Sequence, residues 1–303
     1  MNTPRNQHTV SKAVLKQFSV RDKIAVFDRQ RDLLLTTGRK SVFVFPDFIA
    51  HDPSTAERRW QTTETRMGKA YQLLRSGSPM DEATTETLRD LLAVHWTRSP
   101  ATKLMHEVIL GQVTQERRDL LARDPDHLRA AFVSRTGLEP TGPGALDWVN
   151  DEIHRLRHGV AEQFFSDTSA RFYEQAKNVF SSSEIQVAHA PQRDLLIGDA
   201  PVVTTKPDHL GFGPHQGVPL GEATSIAMPI ACDLLIALGP TPAQVTLSSE
   251  QVQMYNNMQT GSFVRWLGCR PEARQLAALR AATKPGREYT GPLAGGVAGC
   301  ELG

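Results

Sequence analysis

The stretch Arg193–Thr205 constrains this chain more than any other. Two short runs rich in aliphatic and β-branched residues, Leu195–Ile197 and Val202–Thr205, flank a Gly198-Asp199-Ala200-Pro201 step. Such a pattern reads as strand, tight turn, strand. It fixes a carboxylate, Asp199, where an apolar pair of strands changes direction. An acid in that place caps its own turn or serves chemistry from a rigid strand end.

The N-terminal part is organised around a sheet segment and helices. Residues 7–19 read as a polar lead into a short helix capped by Ser11, with Val14, Leu15 and Phe18 at helical spacing. Lys23–Asp28 and Leu33–Thr37 read as a hairpin, and Ser41–Phe45 as a third strand. Ser54 with Glu57 three positions on makes a capping-box start for the next helix. Along it Trp60, Glu64, Met67, Tyr71 and Leu74 step by four, three, four and three, so all lie on one face. Glu64 therefore sits inside an apolar stripe. Ser76–Pro79 breaks that helix, and a second carries Leu88, Leu91, Leu92, His95 and Trp96 on or near its buried side. Pro100 should interrupt it, because proline removes a backbone donor. A loop at Arg135–Gly144 precedes a long helix through Leu146, Val149, Ile153, Leu156, Val160 and Phe164 toward Phe180.

After Ser181 the apolar period shortens, giving strands at Ile185–Ala188, Leu195–Ile197, Val202–Thr205, Ser225–Met228 and Leu234–Leu238. A last helix, capped by Ser248 or Ser249, places Val252, Asn256, Gln259, Phe263 and Trp266 on one face. The order predicts an α+β fold, mainly helical, with a small N-terminal sheet segment and a second β region at about 184–240. Residues 1–283 read as a single domain and 284–303 as a flexible Gly/Ala-rich tail.

Composition narrows the function classes. At 303 residues the chain can bury a substantial core. Its 34 Lys plus Arg against 33 Asp plus Glu make no global field, so there is no strong nucleic-acid signature. Met1–His8 has no apolar secretory segment, and no run approaches the ~20 apolar residues of a membrane helix. Cys232, Cys269 and Cys300 lie far apart with no CxxC spacing, which reads as free thiols in a reducing cytoplasm.

Several weak motifs occur in a telling order. Gln7, His8, Val10, Leu15 and Phe18 open it; Glu64 follows within Trp60–Met67, and then Arg98-Ser99-Pro100. Gly198, Asp199, Pro201 and Val202 lead to Pro229 and Ile230, and Asn256 or Asn257 closes the series. Over roughly residues 6–270 this resembles an uncharacterised bacterial family, domain of unknown function 4238. The chain departs from it at Thr9-Val10-Ser11, where many relatives carry Tyr-Val-Pro, so no tyrosine hydroxyl serves there. The resemblance implies a soluble bacterial protein and no established activity.

Five polar groups lie where apolar neighbours predict burial: His8, Glu64, the His95/Arg98 pair, Asp199 and Asn256. Buried carboxylates must find partners or take up protons. Converging, these groups supply an acid, a base and an orienting cation or amide. The function read from them is an intracellular hydrolase, in particular a nuclease of toxin or phage-defence type, using His8, Glu64, Arg98, Asp199 and Asn256. Two acids and a histidine could hold a divalent metal or divide acid and base roles. The alternative is a non-catalytic binding or regulatory protein in which Arg98 pairs with an acid and Asn256 ties the Asp199 turn. Three placements are expected: Glu64 paired with Arg98, Asn256 rather than Asn257 inward, and His8 beside Asp199. His154 and His158, at i and i+4, read as solvated on a basic face. The glycines of Gly211–Gly217 lack the Gly-Lys-(Ser/Thr) of a phosphate-cradling loop, and no Gly-x-Ser-x-Gly nucleophile turn occurs.

Overall fold

A computed structural model describes residues 6–46, 48–49, 53–140, 147–148, 151, 161–206 and 218–283. In chain order the elements are β1 (Asn6–His8), α1 (Lys12–Gln17), β2 (Lys23–Asp28), β3 (Leu33–Gly38), β4 (Val44–Pro46) and α2 (Pro53–Ser76). There follow α3 (Glu82–Thr97), α4 (Pro100–Arg123), α5 (Pro125–Thr136), α6 (Ala161–Ser181), β5 (Glu184–His189), β6 (Ile197–Gly198) and β7 (Val203–Thr205). The chain continues with β8 (Ser225–Ala231), β9 (Leu234–Gly239), β10 (Ala243–Thr246), α7 (Ser249–Ser262), β11 (Trp266–Cys269) and α8 (Ala273–Ala282).

The expected fold, mainly helical with a small sheet, is corrected by the strand pairing. Beside the helices, the described residues form a five-stranded sheet in the order β10-β5-β9-β8-β7, a four-stranded sheet β3-β2-β11-β6 and the two-stranded β1-β4. Only β10 and β5 run parallel; every other pairing is antiparallel. The sheets outgrow the expectation because β1, β10 and β11, with only three or four residues each, were not read as strands. Runs that short carry no legible period of two, and their partners are remote in sequence.

Strands β6 and β7 are not a hairpin. β6 pairs with β11 in the four-stranded sheet, whereas β7 pairs with β8 in the five-stranded one. The step Asp199-Ala200-Pro201-Val202 is thus where the chain leaves one sheet and joins the other.

Three further local expectations change. The predicted strand at Ser41–Phe45 is a 3₁₀ turn at Arg39–Ser41 followed by β4, which pairs with β1 rather than with the hairpin. Helix α2 begins at Pro53, so Ser54 lies in its first turn instead of preceding it. Helix α7 stops at Ser262, Phe263 takes an extended backbone (φ −69°, ψ 143°), and Trp266 belongs to β11. At the other end of α7 Ser248 is the cap, in a reciprocal capping box with Gln251.

The apolar stripe of α2 is buried, with Trp60, Met67, Tyr71 and Leu74 facing inward. It packs on α3, whose Leu88, Leu91 and Leu92 are fully covered, and α3 packs in turn on α6. A smaller apolar cluster of Ala25, Leu196, Phe263, Leu267, Cys269 and Leu279 joins the four-stranded sheet to α8. Among the described residues no helix is long and apolar enough to cross a membrane. The His154/His158 pair, the Gly211–Gly217 loop and the 284–303 tail lie outside the described residues.

Candidate functional site

The expected polar residues divide into two groups. The first surrounds the sheet crossover. Asp199 Oδ1 accepts the backbone N–H of Val264 at 2.7 Å, and Oδ2 accepts those of Arg265 and Trp266 at 2.8 and 2.9 Å. Its own N–H donates to the Trp266 carbonyl at 2.9 Å. Burial pushes the Asp199 carboxyl up to about 6, against the downward pull of those three donors and of Arg29.

Beside it, Asn256 points inward as expected. Its Oδ1 accepts the Leu196 N–H at 2.8 Å, and its Nδ2 donates to the Asp194 carbonyl at 2.9 Å. One turn on, Gln259 accepts the Gly198 N–H and donates to the Pro201 carbonyl, both at 2.8 Å. Gly198 is needed there, since a Cβ would stand 3.0 Å from the Phe263 Cβ and 3.3 Å from the Gln259 side-chain oxygen. Asn257 instead accepts from Gln253 on the outer face. Every atom of this first group is turned to the backbone, the geometry of a structural clamp.

The second group is built by the last turn of α3. His95 is fully buried; its Nε2 accepts the Ser11 N–H at 3.0 Å and its Nδ1 donates to the Leu91 carbonyl at 2.8 Å. Burial drives its pKa down to about 3, helped by the charge of Arg98. A neutral ring is required, because a protonated one could not accept the Ser11 N–H. Arg98 Nε donates to the Thr9 carbonyl at 3.1 Å, and the Thr9 N–H donates to Phe43 at 2.9 Å. Together these contacts hold residues 8–11 against α3 and β4.

The expected Glu64–Arg98 pair is present. Arg98 Nη1 donates to Glu64 Oε1 at 3.0 Å, with side-chain exposures of 2% for Arg98 and 23% for Glu64. The guanidinium also lies over the Trp60 ring, 4.8 Å from its centroid. Its Nη2, although buried, has no hydrogen-bond partner.

His8 ends β1 directly across from Val44. Its Nε2 is likewise buried without a partner. Burial and the charges of Lys12 and Arg98 lower its pKa to about 4, against the opposing pull of a hydrogen bond to the Lys40 backbone. With its pKa lowered so far, the imidazole is neutral at pH 7. The residue just before the partner strand β4, Phe43, has φ +57°. A bulky side chain in the left-handed region is a strained conformation of the kind that clusters at functional sites.

Two residues of this group were not singled out from the sequence. Glu57 lies three and seven positions before Trp60 and Glu64, on their face of α2. Burial first, and the Glu64 charge next among the raising influences, push its carboxyl pKa upward, while Arg98 and Lys12 pull it down. Lys12, on the exposed side of α1, acts on both His8 and Glu57. The spacing of Glu57 was readable, but it was spent on the capping box. Nothing in the local pattern marks Lys12.

The structure does not join His8 to Asp199. The ring of His8 is influenced by Lys12, Arg98, Lys40 and Arg39, whereas Asp199 answers to residues 264–266 and Arg29. Both carboxylate oxygens of Asp199 accept backbone N–H groups of residues 264–266. Among the described residues, no group of three or more His, Cys, Asp or Glu side chains is arranged to hold a metal ion.

What remains is a neutral imidazole with an unpartnered Nε2, a guanidinium with an unpartnered donor, and two carboxyls in one charged neighbourhood. The pKa shifts of His8 and Glu57 move in opposite directions, which suits a base and an acid at the same pH. A family model described as "Protein of unknown function (DUF4238)" matches residues 6–266. No curated protein and no solved structure matches the chain.

Proposed function

The chain belongs to the DUF4238 family of proteins of unknown function, and from that premise we propose that it is a cytoplasmic hydrolase acting through His8, Glu57 and Arg98. The observation that carries this reading is the pair of buried, unpartnered polar atoms, His8 Nε2 and Arg98 Nη2. Unmet hydrogen-bonding capacity in the interior costs about 1–3 kcal/mol per group, and such groups persist where a ligand or water completes them. In the reaction His8 Nε2 takes a proton from the attacking water. Glu57, inclined toward its protonated form, gives a proton to the leaving group, and Arg98 holds the developing negative charge. Glu64 orients Arg98. A nuclease of toxin or phage-defence type is one member of this class, with Asp199 and Asn256 in scaffold roles and no metal ligand set assigned.

The test compares purified wild type with His8→Ala on uncharged chromogenic esters, phosphate esters and nucleic acid, alongside growth of a bacterial host expressing each. Turnover lost in His8→Ala at an unchanged melting temperature supports the reading. Equal turnover in the two proteins rejects it.

A second reading, a non-catalytic binding or regulatory protein, is favoured by one observation. Asp199, Asn256 and Gln259 spend their side chains on backbone groups of their own chain. Under that reading no substrate panel yields turnover, and His8→Ala alters ligand affinity alone.

A further inference from the structure

We propose that β3 is a self-association edge: it pairs antiparallel with β3 of a second copy across a two-fold axis, joining two four-stranded sheets into one. This inference is independent of the hydrolase reading.

The starting point is what β3 lacks. Its sequence is Leu-Leu-Leu-Thr-Thr-Gly, none of these six residues is buried, and Leu33 is 49% exposed. The strand forms one edge of the four-stranded sheet, and among the described residues no strand pairs with its outer side. Natural edge strands are blunted by shortness, charge, proline or a bulge. The other edges of the two larger sheets, β6, β7 and β10, have only two to four residues. β3 has six, with no charge and no proline, and its register with β2 runs without a break.

Which groups face outward follows from the pairing. The Arg39 N–H donates to the Asp22 carbonyl at 3.0 Å, one step beyond the Lys23–Gly38 pair. Hydrogen-bonded and non-bonded pairs alternate along an antiparallel ladder, so Leu33, Leu35 and Thr37 bond inward to β2. The N–H and C=O groups of Leu34, Thr36 and Gly38 therefore point away from the sheet. Three such residues, spaced by two, are self-complementary about the middle one. In a two-fold pairing centred on Thr36, Leu34 meets the partner's Gly38 and Thr36 meets the partner's Thr36, each pair exchanging two hydrogen bonds.

The side chains and charges suit that register. A Cβ on Gly38 would have nothing within 4 Å, so the partner's Leu34 has room beside it. Threonines directly opposite one another are a favourable cross-strand pair. The same register carries the exposed Asp32, just before β3, to the Arg39–Ser41 turn of the other copy, where Lys40 is exposed. Arg31, at the Asp32 end, is already drawn to Asp28 at 3.7 Å. The two-fold axis repeats this opposition of charge at both ends of the ladder, which is why a second copy fits the edge.

Sedimentation of the full chain, from low to high micromolar concentration, tests the pairing. Wild type should pass from one chain mass to two. Thr36→Pro removes an outward N–H from each copy and no bond to β2, so it should weaken the dimer at least about tenfold. Thr36→Lys, at an exposed position, sets like charges across the axis and should do the same with an unchanged far-UV circular dichroism spectrum. Lys40→Glu, which turns a carboxylate toward Asp32 of the partner subunit, should weaken it by about two- to fivefold. A wild type that stays monomeric throughout overturns the proposal, whether or not Thr36→Pro folds. So does a dimer that Thr36→Lys leaves as tight as wild type, because its contact then lies elsewhere.

Discussion

Asp199 is the residue at which a structural and a catalytic role make opposite demands, and the structure assigns it to the backbone. Three N–H groups converge on it at 2.7, 2.8 and 2.9 Å. Replacement by alanine removes all three acceptors at once. A buried donor left without a partner costs about 1–3 kcal/mol. The Trp266 N–H is buried, whereas those of Val264 and Arg265 are only partly so and can reach water. Weighting them in that way gives about 3–6 kcal/mol for Asp199→Ala. Asparagine keeps one oxygen, which can serve Arg265 and Trp266, but its amide group faces the Val264 N–H donor to donor. Asp199→Asn should therefore cost about 1–3 kcal/mol. Urea unfolding followed by far-UV circular dichroism, with the slope held common, measures both differences. Any hydrolytic activity, expressed per folded molecule, should be unchanged in Asp199→Asn. An alanine variant within about 0.5 kcal/mol of wild type, in the range of surface substitutions, would refute the clamp. So would an Asn variant that folds fully and has lost activity.

Other perturbations follow from the same contacts. Glu64→Gln leaves Arg98 buried without its counter-charge; because 23% of the Glu64 side chain still meets water, the expected loss is about 1–3 kcal/mol, below the 3–5 of a fully buried pair, and an unchanged urea midpoint would show that the pair contributes nothing. Asn256→Asp sets a carboxylate against the Asp194 carbonyl and should cost about 1–3 kcal/mol, whereas Asn257→Asp on the outer face should stay within about 0.5; equal effects would mean that α7 is rotated. His8 and His95 have folded pKa values lowered to about 4 and about 3, so the unfolded chain binds more protons below pH 6.5. Their contribution to stability is fully present above 6.5 and is lost as pH falls toward those values, at no more than ~1.4 kcal/mol per pH unit for each fully buried ring, and less for the partly exposed His8. Asp199, raised to about 6, works the other way and gains stability as pH falls from 6 toward 4, so one histidine's worth of net loss should remain. His95→Gln, which keeps an acceptor and a donor, should flatten the acid limb of a stability–pH curve; an unaltered limb would exclude His95 as its source.

The parts of this fold that were legible in the sequence are those whose cause is local. The stripe from Trp60 to Leu74 repeats within one helix, and its inward face follows from the helical period alone. Because Glu64 interrupts that stripe, its need for a cation could be read as well, and Arg98 was the nearest strong candidate. The inward amide of Asn256 follows from the same geometry. What stayed hidden is what distant segments do to one another. Val252, Asn256, Gln259, Phe263 and Trp266 continue a helical spacing without a break, yet α7 ends at Ser262. The N–H groups of residues 264–266 are drawn away by Asp199, 65 to 67 positions earlier, and Trp266 then pairs with Asp28 in β11. No window of sequence holds both partners.

The same reasoning explains why the candidate site was only half legible. His8 stands out as a polar residue before an apolar run, but what surrounds it is decided by chain crossings. Arg98 arrives from the end of α3 and donates to Thr9 across 89 positions. Glu57 arrives on α2, and its place was masked by a capping pattern that needs a helix start two residues later than Pro53. His8 and Asp199 looked like partners because Asp199 sits at a strand end with no cation beside it in sequence. Each in fact found its neighbours through the fold: Asp199 among the backbone donors of residues 264–266, His8 among the cations Lys12, Arg98 and Arg39. Arg98, by contrast, touches both the Thr9 carbonyl beside His8 and the acidic face of α2.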